Sequence, residues 1–298
     1  MAKPYRDFSD FLAEHFSGKM QKISINAGFS CPNRDGTVGT GGCTYCNNRT
    51  FNPDYCSPRL SVSEQLEEGK RFFARKYPEM RYLAYFQAYT NTHGDIEHLR
   101  SLYEEALGVS GVEGIIIGTR PDCMPDALLD YLEKLAKRTF VLVEYGAESS
   151  HDVTLQCINR CHTWAQTVDA VTRTAPRGIH VGLHMILGLP GESVEMMLDS
   201  VDALSALPIA TVKFHQLQLI RDTRLARDVE SGLYDIPRMT VVEYIDLCAR
   251  IVRRINPAIA IERFTSQSPE ELLIYPKWGL KNYQFVNLLN ARLKSLGI

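Results

Sequence analysis

The sequence predicts an α/β fold, a partial (β/α)6 barrel of the TIM type with a C-terminal α/β extension. Three observations predict it. The chain has 298 residues, close to the roughly 250 that one such barrel takes. Apolar runs of strand length alternate six times with segments of helical period, the order that a parallel sheet with crossover helices requires. A glycine-rich loop bearing cysteines follows the first run, at the strand end where α/β barrels do their chemistry. Six units fit an open barrel better than a closed eightfold one.

Residues 1–21 read as a helical lead-in. The first strand is 22–28, with Ile23 and Ile25 on one face. A helix over 61–77 takes Ser61 or Ser63 as its cap, with Glu64, Glu67 and Glu68 near its positive end. The aromatic-rich second strand is 81–87, and Asp95 caps a helix over 95–107. Strand 112–119, helix 125–136 and strand 139–147 continue the alternation. Two helices follow, near 150–158 and 163–175, then strand 178–187, helix 193–206, strand 211–219 and helix 222–231. Pro237 ends a core expected over 22–236. The extension, 237–298, holds a helix over 240–255, a short strand over 258–264 and a last helix over 279–296.

Hydrophobic residues make up 45% and charged residues 23%, so a large core is expected without disulfide support. The N-terminus lacks the apolar stretch of a secretory signal, and no run approaches the ~18 residues of a membrane span. A cytoplasmic protein with no membrane association is expected, and its eight cysteines are then thiols or metal ligands. The net charge of −2 is unevenly spread. Residues 250–298 carry eight Lys or Arg against three Glu, leaving 25 basic and 32 acidic residues in the first 249. A basic tail suits an anionic partner such as RNA, and a solvated helix face is the alternative.

Cys31, Cys43 and Cys46 lie in the loop after the first strand, separated by eleven residues and then by two. Four of the ten residues 35–44 are glycine, which lets the loop fold tightly and bring backbone amides near a metal. Ordinary [4Fe-4S] sites use four thiolates. Three leave one iron open, and an open position marks a reactive metal. The alternatives are a structural zinc site of the Cys3His type and plain buried cysteines. A zinc ribbon would show two Cys-x-x-Cys pairs; here there is one, and no His follows at finger spacing.

With Tyr45 between the last two cysteines, this arrangement resembles the radical S-adenosylmethionine (SAM) superfamily. The long first gap, opening Cys31-Pro-Asn-Arg-Asp-Gly36, resembles its YhcC-like branch, which is close to the radical domain of the Elongator catalytic subunit. The likeness covers nearly the whole chain, through Thr119-Arg-Pro-Asp122, Glu144-Tyr-Gly-Ala-Glu-Ser149, Asn159-Arg-Cys-His162 and Gly188-Leu-Pro-Gly-Glu192. It implies an enzyme whose [4Fe-4S] cluster, on Cys31, Cys43 and Cys46, takes SAM at its open iron. Reductive cleavage then gives a 5′-deoxyadenosyl radical that abstracts hydrogen from a substrate. It also implies contacts to the SAM amino group from Gln87, Thr90 and Asn91, which stand where Gly-Gly-Glu is common. Glu144, Glu148 and Ser149 resemble the ribose-contacting segment, since a carboxylate accepts from both hydroxyls. Arg160 resembles the residue that pairs with the methionine carboxylate, and Gly188 lets backbone approach adenine. Relatives usually have glycine where this chain has Cys161. Singly, these residues also read as a strand-end charge, a surface cation or a turn.

Lys213 and His215 fall on one face of the sixth strand, where a buried lysine can serve acid–base steps; a solvent-facing strand-end pair is the alternative. His162 and His184 read as structural. Cys157 and Cys161, one helical turn apart, read as ordinary thiols rather than a second metal pair, as do Cys56, Cys123 and Cys248. Trp278, Tyr275 and Tyr283 read as packing rather than base stacking. A reduced flavodoxin or ferredoxin is the expected electron donor. The expected substrate is tRNA, at a wobble uridine. The alternatives are radical chemistry on a small metabolite and a non-catalytic zinc or RNA-binding module.

Overall fold

The computed structural model describes residues 3–50, 53, 55–74 and 80–298. Among them, seven parallel strands form one sheet: β1 (Met20–Ile25), β2 (Arg81–Phe86), β3 (Val112–Thr119), β4 (Phe140–Glu148), β5 (His180–Leu187), β6 (Thr211–Gln216) and, beyond the two-residue β7 (Leu219–Ile220), β8 (Ala260–Arg263). The spatial order is the chain order with β7 set aside, because β7 pairs antiparallel with β9 (Leu273–Tyr275). Consecutive registers carry one row across the sheet: Gly118 opposite Glu144, Glu144 opposite Gly182, and Gly182 opposite Thr211.

One face of the sheet is apolar and packs under helices. Ile23, Ile25, Ala84, Phe86, Ile115 and Ile117 share a continuous core with Leu66 of α2 (Val62–Ala74), Leu99 of α3 (Ile96–Leu107), Leu128 of α4 (Asp126–Ala136), Val171 of α6 (Trp164–Thr174), Val201 of α7 (Val194–Ser205) and Leu247 of α9 (Val241–Arg254). Leu289 of α10 (Asn282–Ser295) joins the same core. A smaller cluster joins Leu155 of α5 (Asp152–Cys157) and Leu225 of α8 (Arg224–Glu230) to Ile186 and Leu217.

The sheet curls. Flat, it would hold its edge strands roughly 29 Å apart, yet Lys22 Nζ of β1 lies 2.5 Å from Glu262 Oε2 of β8. The N-terminal helix α1 (Phe8–Ala13) starts on a reciprocal box, in which Asp10 N donates to Asp7 Oδ1 at 3.0 Å and Asp7 N to Asp10 Oδ2 at 3.1 Å. Phe8 and Leu12 of this helix, with Phe16, pack against Leu83, Tyr85, Ile116 and Leu142 on the concave face. The helix therefore plugs the end of the half-barrel where the strands begin.

The expected elements form with three shifts, the first strand running Met20–Ile25 where 22–28 was expected. The strand expected in the C-terminal extension is the seventh strand of the main sheet, where it covers the otherwise open edge of β6. The strand expected over 211–219 ends at Gln216, and its last residue starts the β7–β9 ribbon. Ser61 caps α2, its Oγ accepting from Glu64 N at 3.2 Å while Ser61 N donates back to Glu64 Oε2 at 2.7 Å, and Asp95 caps α3 by accepting from His98 N at 3.0 Å. Residues 75–77 of the helix expected over 61–77 lie outside the described residues.

Candidate functional site

The loop between β1 and α2 passes over the ends of the strands. Cys31 O accepts from Arg34 N at 2.7 Å and Asp35 N at 3.1 Å, and Gly42 N donates to Asn33 O at 2.8 Å. Two positions favour glycine. Gly42 takes φ +75, a left-handed conformation that glycine adopts without strain, and a Cβ on Gly39 would stand 2.5 Å from the buried Asn33 Oδ1. Asn159 pins the loop from the far side: its Nδ2 donates to Gly42 O at 2.9 Å, and its carbonyl accepts from Asn33 Nδ2 at 2.6 Å.

This folding sets Cys31, Cys43 and Cys46 on the wall of one open cavity. Cys43 is buried, and Cys31 and Cys46 are half-buried. Burial, and then the neighbouring Cys43, push the Cys46 thiol up to about 11. A metal must therefore displace that proton on binding. Among the described residues, no three His, Cys, Asp or Glu side chains are grouped closely enough to hold a single ion. Thiolates of a polynuclear cluster bind separate irons and do not have to share a point.

Gln87, Thr90, Glu144, Glu148, Arg160 and His215 line the same cavity. Arg160 is wedged beside Cys43: one terminal nitrogen donates to Cys43 Sγ at 3.5 Å, and the other donates to Gly146 O at 2.6 Å and lies 3.5 Å from Glu148 Oε1. Its Nε is buried without a hydrogen-bond partner among the described residues, as are one terminal nitrogen of Arg120 and the hydroxyl of Thr90. Unpaired buried donors are costly. A ligand bearing a carboxylate and hydroxyl groups satisfies them, so thiols and donor set fit a sulfur-ligated cluster beside an amino-acid-bearing ligand. Left-handed backbone gathers here too, at Tyr89 (φ 61) and Glu148 (φ 68) on the cavity wall and at Asn159 (φ 53) and Cys161 (φ 58) around Arg160. Cys161 thus occupies a conformation that glycine adopts without steric cost, which accounts for the glycine usual there.

Three of the expected contact residues stand behind the wall. Asn91 Nδ2 donates to Phe86 O at 3.1 Å and Gly118 O at 2.7 Å. Ser149 Oγ donates to Glu192 Oε1 at 2.5 Å. Gly188 takes φ 94, and a Cβ there would stand 3.4 Å from the Met239 side chain.

Lys213 lies beneath the cavity in a buried charge network. Glu144, 1% exposed, accepts from Lys213 Nζ at 2.5 Å, His184 Nε2 at 3.0 Å and Lys22 Nζ at 3.2 Å. Lys213 Nζ also donates to Tyr85 OH at 3.0 Å and lies 3.4 Å from Glu262 Oε1. Two lysines and two glutamates, one from each of β1, β4, β6 and β8, thus tie the half-barrel across its interior. Burial alone would raise the Glu144 carboxyl, but Lys213, Lys22 and His184 together hold it well below its ordinary 4.5. Burial, and then Arg263, push His215 well below 6.5, so its ring is neutral, and its Nδ1 bonds the Ser266 hydroxyl.

Lys22, Tyr85, Glu262 and Arg263 escaped the sequence reading, and His184 was expected to be only structural. The signal was present: Glu144 and Lys213 are charges inside strands, flanked on both sides by apolar residues, and Lys22 directly precedes Ile23, all three on the face that period two makes concave. What the sequence lacks is which strands meet across a curled sheet.

The Radical SAM superfamily model matches residues 33–204, and the Radical_SAM C-terminal domain model matches 209–295. The Bacillus subtilis protein YtqA is 36% identical over 99% of this chain and 91% of its own length. YhcC of Escherichia coli is 34% identical over 98% of this chain and 93% of its own. Among solved structures, an archaeal Elp3 from Methanocaldococcus infernus superposes with a TM-score of 0.68 at 15% identity, covering 95% of this chain. This chain spans 64% of that structure. Methylornithine synthase (PylB) superposes with a TM-score of 0.55 at 15% identity, over 94% of this chain and 82% of its own. At such identities these two show the shared partial-barrel fold.

Proposed function

The chain belongs to the radical SAM superfamily, and on that footing we propose that Cys31, Cys43 and Cys46 hold its [4Fe-4S] cluster, that the cavity beside them receives S-adenosylmethionine, and that the enzyme acts on tRNA at a wobble uridine. Members of the superfamily are enzymes that use this cluster and this cofactor. The observation that carries the reading is the shared cavity, which brings three thiols from one loop together with the unpaired donors of Arg160, Arg120 and Thr90. When bound, the cluster supplies the electron that splits a carbon–sulfur bond of the sulfonium and yields a 5′-deoxyadenosyl radical. A reduced flavodoxin or ferredoxin is the proposed source of that electron.

The chain's own residues position and shield. Arg160 offers its free Nε to the methionine carboxylate while its other end stabilises negative charge on Cys43. Gln87 and Thr90 face the amino group. Glu148 makes one long contact to Arg160 and is the carboxylate free to accept from ribose hydroxyls, whereas Glu144 is engaged by Lys213, Lys22 and His184. Asn91, Ser149 and Gly188 act from behind, fixing the strand ends on which the contacting groups sit. The core over 22–236 supplies every proposed ligand of the cluster and cofactor, and the extension 237–298 completes the far wall through Arg263 and Ser266.

The likeness to the Elongator radical domain supports tRNA, as does the rim. Tyr89, 39% exposed, and Arg34 offer an aromatic face and a cation where a base would enter. The basic tail contributes less than its charge implied: Arg250, Arg254 and Arg292 are paired with Glu195, with Asp199 and Asp202, and with Asp246.

Anaerobic reconstitution with iron and sulfide, followed by reduction with SAM present, tests the reading. The expected product is 5′-deoxyadenosine, and Cys46→Ala should eliminate it; undiminished cleavage would overturn the ligand assignment. A colourless zinc-loaded protein would overturn the radical chemistry. Binding of tRNA from cells lacking this gene should weaken steeply with salt. Product formation that responds only to small-molecule extracts, with no tRNA affinity, would favour the metabolite reading.

A further inference from the structure

The far wall of the cavity, built by β6 and β8, carries a cation that the cofactor assignment leaves unused. Among the described residues, Arg34, Arg120, Arg160 and Arg263 face two glutamates, Glu144 and Glu148, around the cavity. Most of these charges are matched. Arg120 makes a two-point bond to Asp122 at 2.9 and 2.8 Å, Arg160 lies beside Glu148, and Glu144 is taken by the lysines beneath it. Arg34 donates to Cys46 O at 3.3 Å and stands among the thiols.

Among the described residues, Arg263 alone of the four has no carboxylate within ion-pair distance and no thiol against it; the neighbouring Glu262 acts on it only at longer range. Its one side-chain hydrogen bond among the described residues is a 3.4 Å approach of a terminal nitrogen to His215 Nε2, and its Nε is buried without a partner. His215 is itself committed, through Nδ1, to Ser266. The backbone of Arg263 lies in register with Lys213, three residues short of the end of β6, so the charge serves the interior of the cavity rather than its rim. Leaving a guanidinium half-buried and unpaired costs stability, and an arriving oxyanion recovers that cost.

We propose that Arg263 anchors an anionic oxygen group, a carboxylate or a phosphate, carried by the reacting end of the substrate, with His215 and Ser266 flanking the subsite. The wall formed by β6 and β8 is then a specificity wall, and it holds the negative tip of the substrate. A polynucleotide backbone stays at the rim, so for a tRNA substrate the anion belongs to a substituent of the base.

The inference rests on the radical-enzyme reading for the purpose of the cavity, and its readout, a melting temperature, needs no turnover. The anaerobic holoenzyme with SAM is melted against increasing sodium acetate and, separately, inorganic phosphate, with chloride holding ionic strength constant. A ligand that binds only the folded state raises the melting temperature with its concentration. The native protein should show the rise, Arg263→Gln should lose it, and Arg263→Lys should keep a reduced one, because lysine retains the charge without the planar fork. A larger rise with acetate assigns a carboxylate; a larger one with phosphate assigns a phosphate. No rise in the native protein, or an equal rise in Arg263→Gln, overturns the proposal. If Arg263→Gln does not fold, an undiminished rise in Arg263→Lys overturns it. Failure of the radical reading shows elsewhere, as absence of 5′-deoxyadenosine from the native holoenzyme.

Discussion

Glu144 is one of the few carboxylates in the half-barrel with almost no contact with water, and its neighbours explain why it stays charged. Lys213 is the nearest of three partners. Removing it with Lys213→Met leaves the carboxylate short of a counter-charge, at an expected cost of about 3 kcal/mol in urea unfolding at pH 7. The cost is pH-dependent in a fixed direction. Folding lowers the Glu144 carboxyl below 4.5, so the stabilisation is complete above that value and fades as pH falls towards the folded value. The gap between native protein and Lys213→Met should therefore narrow as pH drops below 4.5; a gap that widens in acid would contradict the network. Cys161 shows a different economy. Its left-handed backbone is strained for any side chain, so Cys161→Gly should raise stability by about 0.5 kcal/mol, the strain relief less the entropy glycine loses on folding. Thermal melting with the cluster absent checks this without involving cofactor chemistry.

At the scale of elements, the helix before the first strand matters more than its six residues imply. Phe11 of α1 is 2% exposed and meets Phe140 and His180, at the starts of β4 and β5, with ring centroids 6.1 and 5.3 Å away. Phe11→Ala should cost about 3 kcal/mol, through lost burial and the cavity left behind. Because the plug lies at the strand starts and the cysteine loop at the strand ends, iron content per folded protein should stay at the native level, measured by colorimetric iron assay. The cysteine loop is organised differently. It holds its shape through Asn33, Asn159 and glycines that permit close approach, with little apolar packing of its own.

For the whole molecule, the decisive feature is the curl that brings β1 to β8. The period-two alternation within each strand was legible in the sequence, as were the helix caps at Ser61 and Asp95 and the spacing of the three cysteines. Those features are set by neighbours a few residues apart, where hydrogen bonding and side-chain direction follow local rules. Lys22 and Glu262 are 240 positions apart and meet at 2.5 Å. No local pattern encodes that meeting, because it depends on the summed twist of seven strands. The short strand near the C-terminus was legible as a strand but not as the seventh member of the sheet, for the same reason.

The sequence by itself determined the alternating fold, the family and the three thiols, since each rests on residue types at short, fixed spacings. Only the tertiary structure decided which charges meet across the half-barrel, that Glu144 is bound to its neighbours while Arg263 has no described carboxylate within ion-pair distance, and that Asn91, Ser149 and Gly188 stand behind the wall. Those outcomes belong to burial and long-range juxtaposition, which exist only once the sheet has closed on itself.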